Sequence, residues 1–150
     1  MNIRTANLSD AEVVADFNLR LAWESEHLKL APETVRKGVG ALLKAAAKGV
    51  YFVAEETGAG VVGQTLVTYE WSDWRNGNIW WIQSVFVKEE FRGQGVFKAL
   101  FEHVERLAKE SGEVCSLRLY VEKENSRAHR AYSKLGMEET HYRIFEKAIR

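Results

Sequence analysis

The chain has 150 residues, a length that fits a single domain, 1–150, with one core. Its 21 basic and 21 acidic residues cancel, so charge gives no case for nucleic acid or an anionic membrane as partner. Cys115 is the single cysteine, which excludes an internal disulfide and favours a reducing compartment. No stretch is apolar enough for a signal peptide or a membrane span. We therefore expect a cytoplasmic domain that binds neither nucleic acid nor membrane.

The first 43 residues predict a strand followed by two helices. The segment NIRTA reads as a short opening strand. A helix over about Ser9 to Glu24 is indicated by apolar residues at helical spacing and by Glu12, which stands at capping-box distance from Ser9. Pro32, the only proline, suits the first turn of the second helix.

The middle of the chain predicts three antiparallel strands. Their sequences are VYFVAEE (50–56), VVGQTLVTYE (61–70) and IWWIQSVFVK (79–88). The pair Asn76-Gly77 is a strong hairpin signal and links the second strand to the third. Because the third strand is almost continuously apolar, we expect burial on both of its faces.

The last third predicts helix, strand, helix and strand. The first of these helices ends at Gly112, and the strand EVCSLRLYV (113–121) follows with Cys115 expected in the core. A short helix over 125–136 and a last strand, THYRIFEK (140–147), complete the chain. The order contains a strand-helix-strand crossover with parallel strands. We expect an α/β (α+β) fold with a mixed sheet of six to seven strands and about four helices.

A glycine-rich turn, RGQGVF (92–97), lies between a predicted strand and a predicted helix. Gly93 and Gly95 permit close backbone approach to a ligand, and the first turn of a helix offers unpaired N–H groups. Together with Arg92 they favour a site for an anion such as pyrophosphate. The alternative is a tight turn without a ligand. Neither a Walker loop nor the dinucleotide-binding pattern G-x-G-x-x-G fits this stretch.

Two motifs together resemble the GNAT-type N-acetyltransferase superfamily. RGQGVF matches the pyrophosphate loop R/Q-x-x-G-x-G/A of that family. The segment NSRAHRAYSKLGM is similar to its later helix, with Asn125, Tyr132 and Gly136 at matching positions. Phe97 departs from the small residue that is usual there. Either its side chain points away from the pyrophosphate or the geometry of the loop differs.

The resemblance implies a site for acetyl-CoA. No metal is expected, because the four histidines have no metal-ligand spacing with cysteine or carboxylates. Backbone groups of Val85, Phe86 and Val87 would pair with the pantetheine arm, Asn125 would steady it, and Tyr132 would reach the thioester sulfur. The pyrophosphate would be held by the N–H groups of the loop: Arg92, Gly93, Gln94, Gly95, Val96 and Phe97.

The implied reaction is direct acetyl transfer to a primary amine, which requires a base or a chain of water to take the amine proton. The strand before the loop carries Gln83 and Ser84 and no carboxylate. We rank Glu70 first as the base, ahead of Asp73, Glu24 and Glu26. Each of these can instead be a solvated surface carboxylate.

The acceptor pocket is expected between the segment after the first helix and the hairpin. The candidate residues are Trp23, Glu24, Trp71, Asp73 and Trp74. Trp80 and Trp81 are assigned to the core because they fall on opposite faces of one strand. The amine is expected to belong to a small molecule; the alternatives are a protein or peptide N-acetyltransferase and a noncatalytic CoA-binding module. The family resemblance also suggests a homodimer.

Overall fold

The computed structural model describes all 150 residues and divides into two compact units, residues 1–119 and residues 120–150. The first unit contains β1 (Asn2–Thr5), α1 (Ala11–Glu26), α2 (Pro32–Leu43), β2 (Val50–Glu56), β3 (Gly60–Ser72), β4 (Gly77–Val87), α3 (Val96–Ser111) and β5 (Val114–Leu119). The second unit contains α4 (Ser126–Lys134). No helix is long and apolar enough to cross a membrane.

The five strands form one mixed sheet in the order β1-β2-β3-β4-β5. The first four strands pair antiparallel, and β4 pairs with β5 in parallel through the crossover helix α3. The predicted mixed sheet, crossover and four α-helices are confirmed. The predicted count of six to seven strands is wrong, because residues 140–147 join no strand ladder.

Helices cover both faces of the sheet, and β2 shows why. Its side chains alternate between the faces, as a period of two requires. Tyr51 and Val53 belong to a buried cluster with Val14 of α1 and Val39 of α2. Phe52 lies on the other face, where its ring is 5.0 Å from the ring of His103 in α3.

The start of the first helix differs from the prediction. Asn7, rather than Ser9, caps a short 3₁₀ turn that leads into α1, and its side chain accepts the N–H of Ser9 at 2.9 Å. Asp10 completes the capping box by accepting the N–H of Asn7 at 2.8 Å. Asp10 also accepts two hydrogen bonds from Arg4, at 2.8 and 3.0 Å. The buried carboxylate of Asp10 therefore joins the helix start to β1.

Cys115 is exposed, contrary to the prediction of a core residue. The sequence alternation was correctly read as a strand, but β5 is the last strand of the sheet and has a neighbour on one side only. A terminal strand in this unit does not bury its side chains as a central strand does. The thiol donates a weak hydrogen bond to the carbonyl of Asn78 at 3.4 Å.

The second unit is a short helix with an extended C-terminal segment. α4 is capped by Asn125, whose side-chain oxygen accepts the N–H of Ala128 at 3.1 Å. Gly136 follows the helix at a φ of +84°, which suits a helix stop. The segment after it includes Phe145 and Ile149, which are 96% and 91% exposed. The strand predicted there does not form, because its backbone groups have no partner strand.

Candidate active site

The strands β4 and β5 separate part-way along their length. Their pairing runs from Asn78 opposite Val114 to Ile82 opposite Leu119, where β5 ends. β4 continues through residues 83–87 without a partner on that side. Unpaired strand backbone can bind an extended polar ligand in the manner of a neighbouring strand. The parting therefore produces a gap in the sheet, suited to a ligand with amide groups along its length.

A bulge lies in the same part of β4. Gln64 pairs with Phe86, and Leu66 pairs with Gln83, so two residues of β4, Ser84 and Val85, stand opposite Thr65 alone. Ser84 has a φ of +50°, a left-handed conformation that costs a residue other than glycine about 1–2 kcal/mol. Bulges redirect the strand backbone and occur frequently beside active sites.

A chain of hydrogen bonds holds the bulge. Gln64, which is fully buried, donates from Nε2 to the side-chain oxygen of Asn18 at 2.8 Å and to the carbonyl of Ser84 at 3.1 Å. Asn18 donates to the hydroxyl of Tyr51 at 3.0 Å. Burial raises the pKa of Tyr51, and side-chain hydrogen bonds to Asn18 and Ser84 partly offset that rise. These three side chains, of Gln64, Asn18 and Tyr51, therefore connect β3, α1 and β2 to the bulge.

The glycine-rich turn precedes α3 directly. Gly93 and Gly95 have φ values of +75° and +81°, and a Cβ built on either would meet no atom within 4 Å. Gly95 is also the N-cap of α3, so no side chain caps the first-turn N–H groups of this 16-residue helix. First-turn N–H groups without a side-chain cap, an open backbone and the positive end of the helix dipole fit a pyrophosphate group.

A third glycine places the start of α3 against the sheet. A Cβ on Gly63 would lie 2.9 Å from Cγ1 of Val96 and 3.2 Å from the carbonyl of Phe86. Only a residue without a side chain permits this approach. Val96 is the first residue of α3, so the missing side chain at position 63 sets where the helix begins relative to β3 and β4.

Arg92 does not offer a free charge to a ligand. Its Nε donates to the carbonyl of Val87 at 2.8 Å, and its Nη2 lies 2.6 Å from Oε2 of Glu24. The guanidinium also lies 5.5 Å from the centre of the Phe86 ring. Arg92 thus joins the glycine-rich turn to β4 and to the end of α1.

Phe97 packs along α3. Its ring stands edge-on to that of buried Phe101, one turn later, with the centroids 6.2 Å apart. The two rings therefore lie on the same face of α3.

The geometry agrees with a comparison of the sequence against known families. A sequence model described as "Acetyltransferase (GNAT) family" matches residues 18–137. The chain belongs to the GNAT acetyltransferase family. Enzymes of this family take acetyl-CoA as the acetyl donor, and the gap and turn described above have the features that such a donor needs.

Among known proteins, this GNAT chain is similar to the thialysine N-epsilon-acetyltransferase of Bos taurus. The two are 37% identical over 86 residues, which cover 57% of this chain and 49% of the bovine protein. The chain therefore spans about half the length of the curated relatives it matches.

Two solved structures are also similar. A possible acetyltransferase from Clostridium difficile 630 superposes with a TM-score of 0.93 at 42% identity, over 99% of this chain and 97% of the other. A predicted acetyltransferase from Clostridium acetobutylicum, solved with acetyl-CoA, gives a TM-score of 0.80 at 17% identity, over 97% and 95% of the two chains. At that lower identity the second similarity concerns the fold alone.

In this GNAT domain, Glu70 lies near the far end of β3. One of its carboxylate oxygens accepts the indole N–H of Trp81 at 3.0 Å, and the other lies 3.8 Å from the guanidinium of Arg118. At about 3.3 Å per residue, Glu70 is about 16 Å along the strand from Thr65, which faces the bulge. From that distance, Glu70 can take a proton from a group at the bulge only through water.

The hairpin tryptophans divide into two pairs. Trp80 and Trp81 lie on opposite faces of β4, as predicted. Both are half-buried rather than fully buried in the core. Trp71, near the end of β3, is 60% exposed, and Trp74 in the hairpin loop is 90% exposed. Asp73 accepts the N–H of Trp74 at 3.0 Å, so its carboxylate takes part in the turn itself.

A cavity of about 460 Å³ lies beside the segment between α1 and α2. It is lined by Leu19, Trp23, Leu28, Lys29, Leu30 and Pro32. Of the residues predicted for the acceptor pocket, only Trp23 lines it. The cavity is mostly apolar and has a lysine, rather than the expected carboxylates, in its lining.

Tyr132 and Asn125, the remaining predicted site residues, belong to the second unit. Burial raises the pKa of Tyr132 above the ordinary value for a tyrosine. Asn125 serves as the N-cap of α4 through its side-chain oxygen. No group of three or more histidine, cysteine, aspartate or glutamate side chains is arranged to hold a metal ion.

The chain of hydrogen bonds beside the bulge was not predicted from the sequence. Its one visible signal is Gln64, a large amide within the apolar stretch VVGQTLV. A polar residue at a strand position whose neighbours are buried indicates a partner in the core. Which partner it has depends on the packing of α1 on the sheet, and no local pattern shows that.

Proposed function

We propose that this protein transfers an acetyl group from acetyl-CoA directly to a primary amine of a small molecule, in the cytoplasm. The observation that carries the proposal is the gap between β4 and β5, which opens beside an uncapped helix preceded by two unobstructed glycines. Acetyl-CoA is an extended donor: its amide groups need unpaired strand backbone, and its pyrophosphate needs the N–H groups at a helix start. The lone cysteine supports the cytoplasmic location.

We propose the same donor-binding residues that the sequence indicates. Backbone groups of 85–87 would pair with the pantetheine arm, and the N–H groups of 92–97 would hold the pyrophosphate. Asn125 would steady the arm through the part of its amide that does not cap α4. The side chain of Arg92 is given a different part: it would hold the turn in shape through Glu24 and Val87.

The reaction needs a hydrogen-bond donor for the carbonyl oxygen and an acceptor for the amine proton. The Val85 N–H would stabilise the negative charge that the oxygen gains in the transition state. Deprotonating an amine with a pKa of about 10.4 costs about 4.6 kcal/mol at pH 7. Glu70, acting through water, is our first candidate for taking that proton. Tyr132 would donate a hydrogen bond to the departing thiolate, and a raised pKa keeps its hydroxyl protonated for that role.

The acceptor proposed here combines an amine with an apolar portion. The bovine relative is named for acetylating the ε-nitrogen of thialysine, an amine on an amino-acid side chain. The cavity around Trp23 offers an apolar surface next to Glu24, which is joined to the donor turn by Arg92. Trp71, Asp73 and Trp74 remain predictions for the acceptor side. A peptide amine is the second candidate.

We further propose that residues 1–150 act as one GNAT domain and assemble as a homodimer. The family match runs through residues 18–137 and so crosses the border between the two compact units. The homodimer is supported by the exposed apolar side chains of Phe145 and Ile149, which a second copy would cover. Sedimentation equilibrium measures the assembly directly, and a monomer at micromolar concentration would contradict it.

The test of the function is release of the CoA thiol from acetyl-CoA in the presence of a panel of amines. The panel contains thialysine, lysine, polyamines, aminoglycosides, aromatic amines and lysine-containing peptides. We expect release above hydrolysis with the amino-acid amines. Release with peptides alone would favour the second candidate. If no amine causes thiol release but acetyl-CoA raises the melting temperature, the protein is a noncatalytic CoA-binding module. If there is neither release nor a change in melting temperature, the result contradicts the family function.

A further inference from the structure

The fully buried amide of Gln64 has no evident packing purpose. Both of its N–H groups are used, on Asn18 and on the carbonyl of Ser84, while its Oε1 is buried without a hydrogen-bond partner. A buried polar atom without a partner is unfavourable, and an apolar side chain of the same length would avoid it. The hydrogen bonds that the amide donates therefore explain its presence better than the space that it occupies in the core.

What Gln64 holds is one peptide group, the one that joins Ser84 to Val85. Ser84 is in the left-handed region at a φ of +50° and needs support from its surroundings to remain there. Gln64 supplies that support through its hydrogen bond to the Ser84 carbonyl. Asn18 accepts from the same Gln64 amide and donates to the Tyr51 hydroxyl, so the Gln64 side chain cannot turn without breaking a hydrogen bond.

The direction of this carbonyl fixes the direction of the next N–H. In a planar trans peptide the C=O and N–H bonds point opposite ways, and the chain contains no cis peptide. The Ser84 carbonyl points toward the side-chain amide of Gln64. The N–H of Val85 is therefore directed away from that amide, in the part of β4 that has no β5 neighbour and borders the gap.

We propose that Gln64 is a positioning residue for acetyl transfer: by holding the Ser84 carbonyl, it aims the Val85 N–H at the acetyl oxygen of the donor in the gap. This inference rests on the proposed function. It assigns a role in the reaction to a residue that is sealed from solvent and touches neither substrate.

The kinetic test compares Gln64→Met with Thr65→Val. Methionine keeps the length of the side chain and removes both donors. Thr65 is its buried neighbour on β3, whose hydroxyl bonds the Gln83 carbonyl at 3.4 Å and does not touch the Ser84–Val85 peptide. We expect Gln64→Met to lower kcat about 10- to 100-fold, with acetyl-CoA affinity within about twofold of wild type. Thr65→Val should leave kcat within about twofold.

A third variant, Gln64→Glu, gives a readout that a purely structural residue would not produce. An ionised glutamate cannot donate to the Ser84 carbonyl, whereas a protonated one can. We expect the activity of Gln64→Glu, relative to wild type, to rise as the pH falls. A ratio that stays flat over the pH range in which both proteins are folded would overturn the proposal, as would an unchanged kcat in Gln64→Met.

A binding experiment separates failure of this inference from failure of the proposed function. The ¹⁵N–¹H resonance of Val85 is followed while acetyl-CoA or CoA is added. We expect a difference between the two ligands at Val85 in wild type, where only acetyl-CoA carries the carbonyl, and its loss in Gln64→Met. Shifts at Gly93 and Gly95 with no ligand difference at Val85 would overturn the inference alone. No shift anywhere would overturn both.

Discussion

The guanidinium of Arg92 lies 2.6 Å from the carboxylate of Glu24, so an ion pair joins the end of α1 to the turn before α3. The sequence predicted that these two residues bind different substrates, Arg92 the pyrophosphate of the donor and Glu24 the amine of the acceptor. The structure instead places them against each other. The turn predicted for the donor and the end of α1, predicted for the acceptor, are therefore joined by this ion pair.

We expect Arg92→Gln and Glu24→Gln to weaken acetyl-CoA binding by similar, few-fold factors, because each change breaks the same contact. The pair is partly exposed, and such pairs contribute up to about 1 kcal/mol. The double variant should be no weaker than the singles. Calorimetric titration with acetyl-CoA measures this, with Arg106→Gln on the outer face of α3 as control. Tighter binding by Glu24→Gln would mean instead that Arg92 acts as a charge on the phosphates.

Gly95→Ala should weaken acetyl-CoA binding at least tenfold. Its φ of +81° strains any other residue by about 1–2 kcal/mol, and relief of that strain would move the first-turn N–H groups. Gly58→Ala is the matched control, since Gly58 has a φ of +80°, equally open surroundings and a place in the β2–β3 turn. Both variants should lose similar stability in urea, but only Gly95→Ala should lose affinity. Equal affinities would remove the turn from the donor site.

Tyr132→Phe should lower kcat about 10- to 100-fold at saturating acetyl-CoA, because the leaving thiolate loses a hydrogen-bond donor. Burial raises the pKa of Tyr132, so the hydroxyl stays protonated, and the tyrosine-dependent part of kcat should be constant from neutral pH to about 10. Tyr120→Phe, a more exposed tyrosine of the same unit, serves as control. Steady-state kinetics with an unchanged kcat would exclude Tyr132 from the mechanism.

Glu70→Gln should lower kcat/KM for the amine about 100-fold near neutral pH, because the proton relay loses its acceptor. Glutamine retains an oxygen for the Trp81 indole, so the fold is spared. Asp73→Asn tests the next candidate carboxylate in the same assay. If the kcat/KM of Glu70→Gln matches that of wild type, the proton leaves through water without Glu70.

Asp10→Asn should destabilise the fold by about 2 kcal/mol at pH 7, since Asp10 is buried and charge-paired with Arg4. Hydrogen bonds from Arg4 lower the pKa of Asp10, so its stabilisation is present above the unfolded value of about 3.9. This stabilisation is lost as the pH falls through the lower pKa that Asp10 has in the folded protein. Urea unfolding between pH 7 and pH 3 should show the two proteins converging, whereas Asp16→Asn, an exposed control, should differ little throughout.

The elements that the sequence predicted well depend on local patterns. The Asn76-Gly77 hairpin forms, with Asn76 at a φ of +48°, because the residues that tolerate this conformation are few. The glycine-rich turn and α3 were placed correctly for the same reason. The predicted C-terminal strand failed because strand formation needs a partner, which alternation of side chains does not supply.

The bulge in β4 shows where such reasoning stops. Serine gives no signal for a left-handed conformation, which glycine and asparagine usually adopt. Ser84 adopts it because Gln64, Asn18 and Tyr51 surround it, and these residues come from three other elements. The contact between Arg92 and Glu24 was likewise not predicted, since the two residues are 68 positions apart in the chain.

The missing side chain at Gly63 has a practical consequence for genetics. A methyl group there would collide with Val96 and displace the first turn of α3, although residue 63 lies on β3 and contacts no ligand in the proposed site. In a genetic selection for acetylation, Gly63→Ala would have the same phenotype as variants that fail to bind the acetyl donor. Suppressors should then appear at position 96, where a shorter side chain restores the space.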